Sequence, residues 1–222
     1  MPEGIRQHRF SPPAGATRLI LVRHGESAAA VPGDPFPLRD GHGDPPLHPQ
    51  GRRQAIAVAA ALATLPIAAI YVSTLQRTHQ TAAPLAGLLA LTPVEIADLR
   101  EVFLGDWEGG VFRERILAND PLVAEIASNQ RWDVIPNSEP QSAFAHRLDA
   151  AVRDLAAMHQ NETIAAFVHG GVIGQILATA TGADGMTFAG SDNGSISELV
   201  VLGNQRILRL FNSVSHLRGL EE

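Results

Sequence analysis

The chain contains no cysteine in 222 residues, which excludes disulfides, thiolate nucleophiles and cysteine-based zinc sites. It contains no lysine either, so all 17 of its basic residues are arginine. A Walker-type phosphate loop, a kinase-type phosphate anchor and a Schiff-base cofactor site each need the missing amine, and all three are ruled out. Phosphate must then be held by arginine, histidine or backbone amides. Long apolar runs are also absent, none approaching the ~20 residues that cross a bilayer. The opening stretch "MPEGIRQHRFSPPAGAT" lacks the hydrophobic segment of a secretory leader. A soluble, cytoplasmic protein with no membrane partner is expected. With a formal net charge of −6 and no arginine cluster interleaved with aromatics, nucleic acid is not an expected partner. Any anionic ligand has to be drawn by local arginines against the overall sign.

What is present suits one well-filled domain, since 45 % of the residues are hydrophobic. Residues 1–16, rich in proline and glycine without periodicity, are expected to form a tail or surface arm, with the domain over 17–222. Strand signals fall at Leu19–Val22, Ala69–Ser73, Val94–Ile96, Thr163–Val168, Ser195–Leu202 and Arg206–Phe211, and helical periodicity at 50–64, 75–90, 111–128, 141–160 and 171–181. This alternation predicts an α/β fold of three α/β/α layers around a mostly parallel sheet. Gly203-Asn204 predicts an antiparallel hairpin for the last two strands. The irregular stretch 28–49 and an insertion over 104–140 are expected to form the pocket walls.

The chemistry gathers at strand ends. "RLILVRHGES" runs an apolar strand into Arg23 and His24, with a helix expected to start there; "AAFVHGGVIGQIL" runs another into His169 and two glycines. Ligands in such sheets sit beyond the carboxyl ends of the strands, so both histidines belong to one site. "VSTLQRTHQTA" places Arg77 on the first turn of a helix, and "LREVFLGDWEG" places the acid Glu101 in a loop. A ring nitrogen of His24 can attack phosphorus while the other donates to a carbonyl. Arg23 and Arg77 then clamp phosphate oxygens. His169, when protonated, is a further cation, and the amides opening the two helices, that of Gly170 among them, are further donors. Glu101 protonates the leaving group. Ser27, Arg39 and His42 are assigned to substrate binding, with Asp40 and Trp107 as further wall residues. Glu26 is read as stabilising a helix start by its charge. His42, His48, Asp40 and Asp44 match no metal-ligand spacing, so no metal and no cofactor is expected.

Taken together, "LVRHGES", "STLQRTHQTA", the acid six residues before "WEG", and "HGG" resemble the histidine phosphatase superfamily, the phosphoglycerate-mutase-like branch 1, over about Thr17 to Leu210. The resemblance implies a phosphohistidine on His24, a phosphate pocket of Arg23, Arg77 and His169, and Glu101 as proton donor. By the same resemblance "SDNGSISEL" puts Asn193 and Ser195 near the pocket. "PLHPQGRRQA" resembles the family's turn and helix start, with Leu47, Gly51 and Gln54 read as helix initiation and packing. Two departures stand out: Ala28-Ala29-Ala30 replaces an asparagine or a tryptophan-asparagine pair that reaches the phosphate or substrate in many relatives, and "PNSEP" replaces a glycine-rich loop. A moderate insertion and a short C-terminal segment leave a phosphohistidine open to water. The expected activity is therefore a phosphoric monoester hydrolase of histidine acid type acting on a phosphorylated small molecule. A cofactor-dependent phosphoglycerate mutase is the runner-up, and a phospholigand-binding scaffold is the non-enzymatic alternative. Homodimerisation is common in that family and leaves no readable mark here.

Overall fold

A computed structural model describes residues 7–220. Residues 1–6, part of the expected arm, lie outside it; residues 7–13 are exposed and carry no helix or strand. The strands are β1 (Thr17–Arg23), β2 (Leu38–Arg39), β3 (His42–Gly43), β4 (Ile67–Val72), β5 (Val94–Glu95), β6 (Thr163–Val168), β7 (Ile196–Leu202) and β8 (Gln205–Ser213). The helices are α1 (Pro49–Leu62), α2 (Gln76–Leu89), α3 (Val111–Leu117), α4 (Pro121–Asn129), α5 (Gln141–Met158) and α6 (Gly170–Thr181). Six strands form the central sheet in the order β5-β4-β6-β1-β7-β8. β5, β4, β6 and β1 are mutually parallel; β7 runs antiparallel to β1, and β8 antiparallel to β7.

Side chains alternate across a strand, so a strand buried on both faces feeds two cores. Along β1, Leu19 and Leu21 pack with Phe144, Leu148 and Val152 of α5 and Ile173 and Leu177 of α6. Ile20 and Val22 face the other way, onto Val58 and Leu62 of α1 and Ala82 and Leu85 of α2. The expected three layers follow directly. Full burial of a side chain such as Phe167 or Leu148 contributes about 1.5–3 kcal/mol.

Two local expectations are corrected. No helix follows His24. Instead residues 26–28 run antiparallel to 46–48, through Ala28 N donating to Pro46 O at 2.8 Å and His48 N donating to Glu26 O at 2.9 Å, which pinches the neck of a long loop. The contact that enforces this is glycine on glycine. A Cβ on Gly51 would lie 2.0 Å from Glu26 O, and one on Gly25 would lie 2.4 Å from Gly51 O. Glu26 therefore sits beside the start of α1 rather than opening a helix of its own. The helix expected over 111–128 divides into α3 and α4, because Asn119 takes a positive φ of 52° and Asp120 caps a new helix whose first residue is Pro121.

Candidate active site

β1 and β6 are neighbours, and the chain leaves them toward opposite faces of the sheet: α1 lies over one core and α6 over the other. A crevice opens where two such connections part. His24 and His169 stand on its two banks, with ring centroids 5.2 Å apart. The sequence placed these residues 145 positions apart (169 − 24) and the parallel register, Arg23 opposite Val168, brings them together.

His24 is 7 % exposed, and its Nδ1–H donates to Gly25 O at 2.7 Å. That bond fixes the tautomer, so Nε2 carries the lone pair. Burial, reinforced by the charges of Arg77 and Arg23, holds the imidazole well below its ordinary value of 6.5 and keeps it neutral. A neutral imidazole with one nitrogen anchored is a competent nucleophile. Asn193 Nδ2 donates to His24 O at 3.0 Å, and Gly194 N donates to Arg23 O, tying the β7 approach to the same strand end.

His169 is fully buried, with Nε2 2.8 Å from Ser73 Oγ and Nδ1 without a protein partner. Burial first, then the cationic Arg77, holds it well below 6.5 as well. The cationic role given to His169 depended on its protonation, and burial among these cations disfavours that form. Ser73, at the end of β4, orients it, and sequence reading did not single that serine out.

Both histidines carry depressed folded values, so the unfolded chain binds more protons than the native one below pH 6.5. Stability therefore falls as pH drops through that value, by up to about 1.4 kcal/mol per pH unit for each histidine. Urea midpoints measured from pH 7 downward should decline in wild type and decline less steeply in His169→Gln; parallel curves would contradict this assignment.

Arg77 is 8 % exposed, with Nη1 donating to Gly43 O at 2.9 Å. Burial lowers its guanidinium to about 10, opposed by Glu101, Asp44 and Glu108, so it stays cationic at neutral pH. Arg23 donates through Nη1 to Ser191 O and leaves Nε buried without a partner. Glu101 is tethered by two amides, Val102 N at 3.0 Å and Gly171 N at 3.1 Å. A Cβ at 171 would stand 2.5 Å from Glu101 Oε1, so a larger residue there would displace the carboxylate from its present place. The second glycine of "HGG" is thus the seat of the acid.

Arg23, His24, Arg77, Glu101 and His42 line one cavity of about 330 Å³. His24 and Arg23 also border a second of about 540 Å³, with Ser27 and Asn193 on its wall. Gly170 opens α6 beside the Arg23 side chain, and a Cβ there would lie 3.3 Å from Nε. Ser195 is fully buried. Arg39 stands apart. It is on the exposed β2–β3 tip, and pairs with Glu95 at 3.0 Å. Asp40 likewise faces Arg100, at 3.3 Å. Asp44 accepts from Gln76 N at the start of α2, and His48 caps α1, so these four loop residues have separate duties. Among the described residues no group of three His, Asp or Glu side chains is arranged to hold a metal ion, and no helix is long and apolar enough to cross a membrane.

Three charged residues that line the cavities, Glu108, Arg113 and Glu114, escaped the sequence reading. Arg113 of α3 borders both cavities and donates to Ala28 O and Ser27 Oγ, each at 2.7 Å. It joins a seam between the two walls that includes Gly43 N on Glu108 Oε2 at 2.7 Å and Phe36 N on Gly109 O at 2.9 Å. Trp107, Ile126 and Ile135 form a small core under that insertion.

The comparisons agree with this geometry. The model of the histidine phosphatase superfamily (branch 1) matches residues 19–214. Phosphoserine phosphatase 1 of Hydrogenobacter thermophilus is 26 % identical over 208 residues, covering 90 % of this chain and 94 % of that one. The adenosylcobalamin/alpha-ribazole phosphatase of Escherichia coli is 27 % identical over 198 residues, covering 88 % and 96 %. Among solved structures, a mycobacterial glucosyl-3-phosphoglycerate phosphatase superposes with a TM-score of 0.73 at 27 % identity, covering 89 % of this chain and 99 % of that one. With the family's model spanning the sheet and both histidine-bearing strand ends, the chain belongs to the histidine phosphatase superfamily, branch 1.

Proposed function

We propose that this protein hydrolyses phosphomonoesters of small molecules through a phosphohistidine on His24. One observation carries the reading: a neutral imidazole, anchored at Nδ1, shares a cavity with Arg23, Arg77 and Glu101. The similar proteins named as phosphatases support it. The match to branch 1 directs the reading away from the histidine acid-type group named from sequence.

In the first step the Nε2 lone pair of His24 forms the N–P bond while the P–O ester bond breaks. Glu101 gives its proton to the departing alkoxide. Charge spreads over the equatorial oxygens, where Arg23, Arg77 and the Nδ1–H of His169 donate. That role requires Ser73 to donate to Nε2 of His169, which leaves the hydrogen on Nδ1. In the second step water attacks phosphorus, its proton returns to Glu101, and the N–P bond breaks to free His24 and inorganic phosphate. The second cavity beside His24 gives solvent a further approach, which favours hydrolysis over return of the phosphoryl group to a bound skeleton.

Glu101→Gln should slow alkyl phosphates by about 10²-fold or more and p-nitrophenyl phosphate much less, because p-nitrophenolate departs without a proton. Equal losses on both would remove Glu101 from the role of acid. The reading as a whole is tested by phosphate release across sugar phosphates, phosphoglycerates, nucleotides and phosphopeptides, with His24→Ala as the blank. Interconversion of 2- and 3-phosphoglycerate from a bisphosphoglycerate primer, with little phosphate released, would make the protein a mutase.

A further inference from the structure

Arg113 has no part in the scheme above, yet its guanidinium borders both cavities that meet at His24. It is held in place from two sides, by Ala28 O and Ser27 Oγ at 2.7 Å, and rests over the Phe36 ring at 5.2 Å from its centroid. Two of its five N–H groups are spent on those bonds, and the rest have no protein partner among the described residues. No carboxylate of the described residues lies at ion-pairing distance from it, although Arg115, Arg131 and Arg147 on neighbouring segments each have one. The two acids of the first cavity are otherwise engaged, Glu101 on two amides and Glu108 on Gly43 N and Leu104 N. Glu26 and Glu114 border the second cavity, and Glu26 acts on Arg113 at longer range without pairing with it. A preorganised, half-buried guanidinium that makes no ion pair, in a cavity wall, can receive an oxyanion.

Phosphate already has Arg23 and Arg77, so Arg113 is surplus to one phosphoryl group. Ala29 and Ala30, which carry no polar side chain, line the second cavity beside it. We propose that Arg113 is a specificity-determining residue that binds a second oxyanion of the substrate, so that preferred substrates are phosphomonoesters carrying a carboxylate or a second phosphate near the ester. This inference deepens the proposed phosphatase activity and rests on it.

The test uses equilibrium binding to the whole protein by calorimetry, with three phosphonates on a three-carbon frame: n-propylphosphonate, 3-phosphonopropionate and propane-1,3-bisphosphonate. Wild type should bind at least one of the two dianionic-plus probes roughly 10- to 100-fold more tightly than n-propylphosphonate, as charge-assisted hydrogen bonds to a second anion require. Which of the two gains more tells carboxylate from second phosphate. In Arg113→Met that gain should vanish, so that the three probes bind with affinities within a few-fold of one another. Equal affinity of wild type for all three, with p-nitrophenyl phosphate still hydrolysed, would overturn the role of Arg113 alone. An Arg113→Met variant that loses n-propylphosphonate and turnover together would overturn it too, placing Arg113 on the first phosphate or in the fold. Failure of every phosphonate to bind, with no turnover of any ester, would sink the phosphatase reading and this inference with it.

Discussion

Replacing His24 with alanine is expected to lower turnover of every phosphomonoester by about 10⁴-fold or more while leaving the fold intact. The magnitude follows from the role. Loss of a covalent nucleophile removes the whole two-step route, and only binding and charge stabilisation remain. The structural cost should be small, because the ring makes one hydrogen bond, to the neighbouring Gly25 carbonyl, and the strand is held by the backbone register with β6 and β7. Rates should be read with p-nitrophenyl phosphate and one alkyl phosphate, alongside a urea unfolding curve. A variant that retains more than a few per cent of wild-type turnover would show that another group attacks phosphorus.

The second large effect is expected at Arg77. Its guanidinium is buried, reaches the cavity from the first turn of α2, and remains charged because its value, lowered to about 10, is still above neutral pH. A fixed cation aimed at developing charge typically contributes 10²- to 10³-fold, so Arg77→Ala should lose about that much in kcat. Lysine should restore little, since it lacks the planar fork and the bond to Gly43 O that positions it. A loss confined to KM would mean that Arg77 only binds substrate and does nothing further in the transition state.

The convergence of the two histidines is legible in the sequence because its signals are local. An apolar run ending in a histidine marks a strand end, and a mostly parallel sheet brings such ends together, which pairs His24 with His169. Three errors had the opposite character. A helix is expected to start at His24, but the close approach of Gly25 to Gly51, 26 residues apart (51 − 25), pins residues 26–28 against 46–48 instead. Arg39 was placed on the pocket wall by proximity in the chain, whereas its partner Glu95 lies 56 residues away. Arg113 sits in a helical pattern like any surface arginine, and only the tertiary seam to Ser27 and Ala28 reveals that it faces the cavity. The break between α3 and α4 was readable, since Asp120-Pro121 is an N-cap followed by a first-turn proline.

The covalent intermediate is the central claim. Wild type mixed with substrate, quenched within one turnover in alkali and measured by intact mass should carry one added phosphoryl group, stable to base, lost in acid, and located by peptide mapping to His24. Its absence under single-turnover conditions that release inorganic phosphate, or its presence on any other residue, would contradict the account.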